Sequence, residues 1–150
     1  MRKREVFRKT EHCLYHYRLN TARLEVVRSE LEKLRQAGDV HAQDYSGRMN
    51  AGACNADPIS SYVHKLLSLE HRISVLERYT QPITRLITDL QHSPEKMSRN
   101  YLLVLEYFYF SGLTVPRILE IIHWSRSTFF SRRLSLVILA SDYIFVKTNK

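Results

Sequence analysis

The sequence predicts an all-α protein in which long antiparallel, coiled-coil-like helices are followed by a C-terminal helix-turn-helix. Three observations carry this. Among 150 residues there are only 4 Gly and 4 Pro, and the dipeptides that turn a hairpin are missing, so a many-stranded sheet has little to turn on. Two long stretches repeat apolar side chains at alternating spacings of three and four, the period of a helical seam. The last third holds two helix-start signatures separated by a short break.

The first seam runs Val6, Thr10, Cys13, Tyr17, Asn20, Leu24, Val27, Leu31, Leu34. Its second half is strongly apolar. Asn20 is read either as a polar group that fixes register or as a solvated gap. Residues 37–56 contain three of the four glycines and no apolar period, which predicts a flexible loop. Asp57-Pro58 then reads as an N-cap followed by proline at the first helical position, where a missing N–H costs nothing. The second seam is Ile59, Tyr62, Leu66, Leu69, Ile73, Leu76, Thr80, Ile83, Ile87, Leu90. Pro82 lies inside it and is expected to kink or divide the helix near Ile83. Two seams joined by a loop pack most simply as an antiparallel pair over residues 1–92. Pairing between chains, as a homodimer, is the alternative.

The formal charge of +8 and a pI near 9.7 favour an anionic partner. The excess sits at the two ends: residues 1–36 hold ten Lys/Arg against five Asp/Glu, and residues 93–150 hold eight against four, while residues 57–92 balance at four each. Cys13 and Cys54 lack the paired spacing of a zinc site and are too few for a disulfide framework, so a reducing cytoplasm is expected. The start Met1-Arg2-Lys3-Arg4 leads into charged residues, so neither a signal peptide nor a membrane span is expected.

The region 93–150 is expected to form the DNA-binding domain. Ser93-Pro94 opens a helix through Tyr101, Leu102, Leu105 and Phe108 that stops at Gly112. Thr114 caps a short helix with Ile118, Ile121 and Ile122 facing inward. His123-Trp124 connects to a second cap, Ser125-Arg126-Ser127-Thr128, in which the Ser125 hydroxyl can accept from the Thr128 amide. A short helix, a tight turn and a capped helix that begins polar and basic suit entry of that second helix into the major groove of double-stranded DNA. Arg126, Ser127 and Ser131 are candidates for base edges, Phe130 for a thymine methyl or a sugar, and the cap residues Ser125 and Thr128 are also counted among the DNA-binding residues. Arg132 and Arg133 are candidates for phosphates, with Trp124, Phe129, Leu136 and Val137 as core. Against this stands the plainer reading that the three arginines are a solvated helix face.

Other signals carry less. His12 and His16 are four apart on one helix but have no accompanying ligand set. Tyr107-Phe108-Tyr109-Phe110 would face all directions of a helix, which favours packing over base stacking. There is no P-loop, Gly-rich dinucleotide turn, nucleophile elbow or carboxylate cluster. An enzyme is therefore not expected, and no cofactor or metal is called for.

The chain resembles a known family along most of its length. Leu14-Tyr15 in a basic first helix, a Gly-containing loop, Ala56-Asp57-Pro58-Ile59, a leucine-seamed helix, Glu106-Tyr107-Phe108 and the terminal Trp124-Ser125-Arg126-Ser127-Thr128-Phe129-Phe130 follow in the order seen in the RinA/ArpU group of phage late transcriptional regulators. That resemblance implies a recognition helix like region 4 of bacterial sigma factors. It further implies activation of phage or prophage late operons in the bacterial host's cytoplasm, by promoter binding and engagement of host RNA polymerase. Two departures stand out. The position of Arg132 is often apolar or aromatic in such helices, which would have Arg132 bury its stem, and the tail Ser141-Asp142-Tyr143-Ile144-Phe145-Val146 is more apolar than a solvated end. The competing readings are a small terminase-like packaging component, whose DNA-binding unit would usually come first, and a helical protein-binding adaptor.

Overall fold

The computed structural model describes residues 3–44 and 58–145, and every described element is helical. Helix α1 spans Lys3–Asp44, α2 Pro58–His92, α3 Lys96–Val104, α4 Val115–Ile122 and α5 Arg126–Ile144, with a π-helical stretch at Leu105–Phe110 continuing α3. By packing, the chain forms two compact units: Met1–Asn20 together with Arg78–Lys150, and Thr21–Glu77. This differs from a division at residue 92, because the first turns of α1 and the last turns of α2 supply core to the C-terminal helices. Leu14, Ile83, Leu86 and Leu90 belong to one buried cluster with Val104, Ile118, Phe129 and Leu136.

In the smaller unit the α1 half of the expected seam is buried, while on α2 Tyr62, Leu66, Leu69, Ile73 and Leu76 are half-buried and Ile59, expected in the seam, is 66% exposed at the start of the helix. Leu24, Val27 and Leu31 are almost fully enclosed. The ion pairs Arg28 to Glu77 (2.6 Å), Arg72 to Glu30 (3.9 Å) and Arg35 to Glu70 (3.1 Å) fall in descending order along α2, so the two helices run antiparallel. Exposed pairs of this kind contribute at most about 1 kcal/mol each, leaving the apolar seam as the main source of stability.

Helix α1 continues through Asp44, so residues 37–44 are helical where a loop was expected; residues 45–57, including the expected cap Asp57, lie outside the described residues. Gly38 is accommodated because α2 approaches closely there. A Cβ at Gly38 would stand 2.4 Å from the Tyr62 hydroxyl oxygen, and that contact accompanies a glycine whose helical cost is about 1 kcal/mol.

Pro82 does not divide α2, which is helical from Pro58 to His92. The flanking side chains hold it, with Thr80, Ile83 and Leu86 all buried. At the next junction Ser93 Oγ accepts from the Glu95 amide at 3.3 Å, so α3 begins at Lys96 behind Glu95, slightly later than expected.

Candidate nucleic-acid interface

Helices α4 and α5 are joined by three residues. Thr114 occupies the N-cap of α4 in extended conformation without a side-chain cap bond, and Pro116 sits in the first turn. The short helix ends at His123, which adopts the left-handed conformation (φ 56°, ψ 37°) and donates its amide to the Leu119 carbonyl at 2.9 Å. That conformation costs an ordinary residue about 1 kcal/mol; it reverses the chain within one residue. Ile118 is fully buried and Ile122 half-buried, but Ile121, expected to face inward, is 39% exposed. With only eight residues, α4 presents a single inward line, and Ile121 lies off it.

Ser125 caps α5 as the sequence predicts. Its Oγ accepts from the Thr128 amide at 3.2 Å, and hydroxyl contacts link it to Thr128 (2.7 Å) and Ser127 (3.1 Å). Thr128 is half-buried in this knot, so its hydroxyl serves the cap. A cap of this type contributes about 1 kcal/mol, and the helix start it organises carries a positive partial charge.

Beyond the cap, α5 has two distinct faces. Phe129, Leu136, Val137 and Ala140 are buried. Arg126, Ser127, Phe130, Ser131, Leu134, Ser135 and Ile138 are exposed and follow one another at helical spacing. The four candidates for base contact therefore share one surface, where the Arg126 guanidinium lies 5.7 Å from the centre of the Phe130 ring.

Arg132 and Arg133 behave differently from the expectation of two free phosphate contacts. Arg132 stacks its guanidinium 4.1 Å from the Trp124 ring. Arg133 turns inward. It pairs with Glu11 of α1, donates to the Tyr109 hydroxyl oxygen at 3.3 Å, and lies 4.7 Å from the Phe108 ring centre. Tyr109 in turn donates to Glu11 at 3.0 Å. Only 21% of the Arg133 side chain is exposed, so Arg133 is a structural clamp and not a free cation. The reason is its position: it follows Phe129 by one helical turn, on the flank of the buried face.

The Glu11, Tyr109 and Arg133 group perturbs its own titration. Burial pushes the Tyr109 phenol well above the usual tyrosine range, Glu11 adds to this, and Arg133 opposes it. An unfolded tyrosine ionises near pH 10. The unfolded chain thus releases the proton first as pH rises, so this contribution to stability is complete below pH about 10 and is lost above it. Chemical denaturation across alkaline pH should show stability falling above that point, and Tyr109→Phe should flatten the fall.

The π-helical stretch explains how Tyr109 and Phe108 reach this group. Leu105 and Tyr109 are buried, and the wider turn directs Phe108 edge-on to Phe129 at 5.6 Å. The Ser111 amide bonds Glu106 at 2.8 Å, the Leu113 amide bonds Tyr107 at 2.9 Å, and Gly112 takes φ +64° to close the helix. The four-aromatic run is core packing. The end of α5 is anchored too: the Tyr143 hydroxyl donates to Asp89 of α2 at 2.5 Å, and Tyr143 and Ile144 pack on the core.

Comparison with protein-family models, with curated proteins and with solved structures gives no match. The site therefore rests on its own geometry.

Sequence reasoning missed Glu11, Tyr109 and Leu134. A signal for the first existed: Phe7, Glu11 and Leu14 form a second line beside the α1 seam, and Leu14 is completely buried. The early part of α1 is thus packed on two sides, while the seam describes only one. Among the described residues no group of His, Cys, Asp and Glu could hold a metal ion, and no helix is long and apolar enough to cross a membrane.

Proposed function

We propose that the chain is a sequence-specific DNA-binding transcriptional regulator, with α4 and α5 acting as a helix-turn-helix. The observation that carries this reading is the first half of α5, capped by Ser125, with Arg126, Ser127, Phe130 and Ser131 exposed together and the opposite face anchored by Phe129 and Leu136. An arginine at the first position of such a helix can fork onto guanine, and small hydroxyl side chains allow close approach while bonding several base edges. Phe130 has the reach and shape for a thymine methyl. Arg132, held over Trp124, is the better placed of the paired arginines for a phosphate, and Arg133 supports the helix from behind.

The resemblance to the RinA/ArpU group extends the proposal to activation of phage or prophage late operons with host RNA polymerase. In this reading the protein binds and recruits, and performs no chemistry of its own.

The test is selection of bound fragments from random duplex DNA, followed by gel-shift titration of the selected site. Arg126→Ala is expected to lower affinity for that site by about 1–3 kcal/mol while leaving binding to unrelated duplex nearly unchanged. Equal loss on both duplexes, or none on either, would remove Arg126 from base recognition.

A further inference from the structure

A groove in the larger unit remains outside this reading. It lies between the first turns of α1 and the second half of α5, has a volume of about 450 Å³, and is floored by Val6, Phe7, Leu134, Val137 and Ile138. Leu134 and Ile138 are 50% and 55% exposed, two large aliphatic side chains one turn apart on the same line as Phe130. Lys3 edges this groove and also a second hollow, of about 390 Å³, that Phe7 shares with Arg4 and Arg8. Lys9 is paired with Glu5 at 2.7 Å, whereas Lys3, Arg4 and Arg8 have no carboxylate partner among the described residues. On the α5 side Asp142 lies one turn beyond Ile138 and is exposed.

We propose that this groove docks an amphipathic helix of a second protein, one that lays aliphatic side chains four residues apart over Phe7, Leu134 and Ile138 and turns carboxylates toward Lys3, Arg4 and Arg8. Charge selects the occupant. A lone apolar floor would accept many helices, but Lys3 on its rim and Arg4 and Arg8 in the adjoining hollow across Phe7, none ion-paired among the described residues, repel a basic one and attract an acidic one. A second copy of this chain is disfavoured, because it would bring two such cationic edges together on chains of formal charge +8. A phosphate backbone would satisfy the cations yet leave the aliphatic floor exposed.

The experiment uses the full chain and two fluorescent helical peptides that share one leucine stripe, one flanked by glutamates and the other by lysines. The glutamate peptide is expected to bind about tenfold or more tightly than its counterpart, with the preference shrinking as salt rises. Leu134→Gln combined with Ile138→Gln should weaken it about tenfold without moving the melting curve, since both side chains are already half in water. Arg4→Glu with Arg8→Glu should reverse the preference. Equal binding of the two peptides, or no binding of either, overturns the proposal. So does self-association in sedimentation that the two glutamine changes abolish, or adsorption to anionic vesicles that is indifferent to them. Arg126→Ala should leave peptide binding intact, so failure here and failure of DNA recognition are separate results.

Discussion

Phe129→Ala is expected to lower the free energy of unfolding by about 4 kcal/mol, the range found when a fully enclosed aromatic is truncated. Phe129 has no exposed surface, lies edge-on to Phe108 at 5.6 Å and to Phe130 at 5.4 Å, and joins the core of the larger unit. Removing its ring takes away both the transfer free energy and the edge-to-face contacts, and the surrounding helices can close the space only partly. Since a domain's total stability is about 5–15 kcal/mol, that loss is a large share of what holds α5 in place. Urea denaturation followed by helical circular dichroism checks it. The neighbouring Phe130→Ala is the control: at 37% exposure it should cost little stability, and a loss comparable to that of Phe129 would mean the two faces of α5 are assigned the wrong way round.

The second large effect is expected at Arg133. A phosphate-binding arginine replaced by alanine would weaken all duplexes and lower the salt slope by about one, with folding untouched. The clamp with Glu11 and Tyr109 predicts the opposite pattern. Arg133→Ala leaves a partly buried carboxylate and phenol without their cation and should destabilise the fold by about 3 kcal/mol, while the salt slope of correctly folded protein stays the same. Glu11→Ala should cost a similar amount. The double variant should cost clearly less than the sum, because once one partner is gone the other is the liability. Strict additivity in that cycle, with a reduced salt slope, would return Arg133 to the proposed DNA-binding face.

How far the fold could be read from sequence follows from what each residue has to satisfy. The all-helical class, the antiparallel seams and the Ser125 cap were legible because each depends on short-range periodicity or on one local hydrogen bond. Phe129, Leu136 and Val137 were legible as core by the same periodicity. What escaped depended on a partner distant along the chain. Helical spacing puts Arg133 one turn after Phe129, on the flank of the buried face, but nothing near it in the chain names Glu11 as its partner, while Arg132 meets Trp124. Pro82 and Gly38 looked like interruptions because local propensity disfavours them, and packing overrides that preference at both. The π-helical stretch had no local cue beyond its run of aromatics.

The clamp joins residues 122 positions apart, and the Tyr109 bond to the same carboxylate spans 98. Contacts of such long separation pay their loop-closure entropy before they return any stability, which slows assembly. During synthesis on the ribosome, Glu11 and the apolar line beside it emerge long before Arg133 does. Until then Glu11 lacks its cation, although Ile83, Leu86 and Leu90 have already emerged to cover Leu14. The clamp on α5 can therefore close only once the chain has been made as far as Arg133, and a chain that stops short of it leaves Glu11 without its cation.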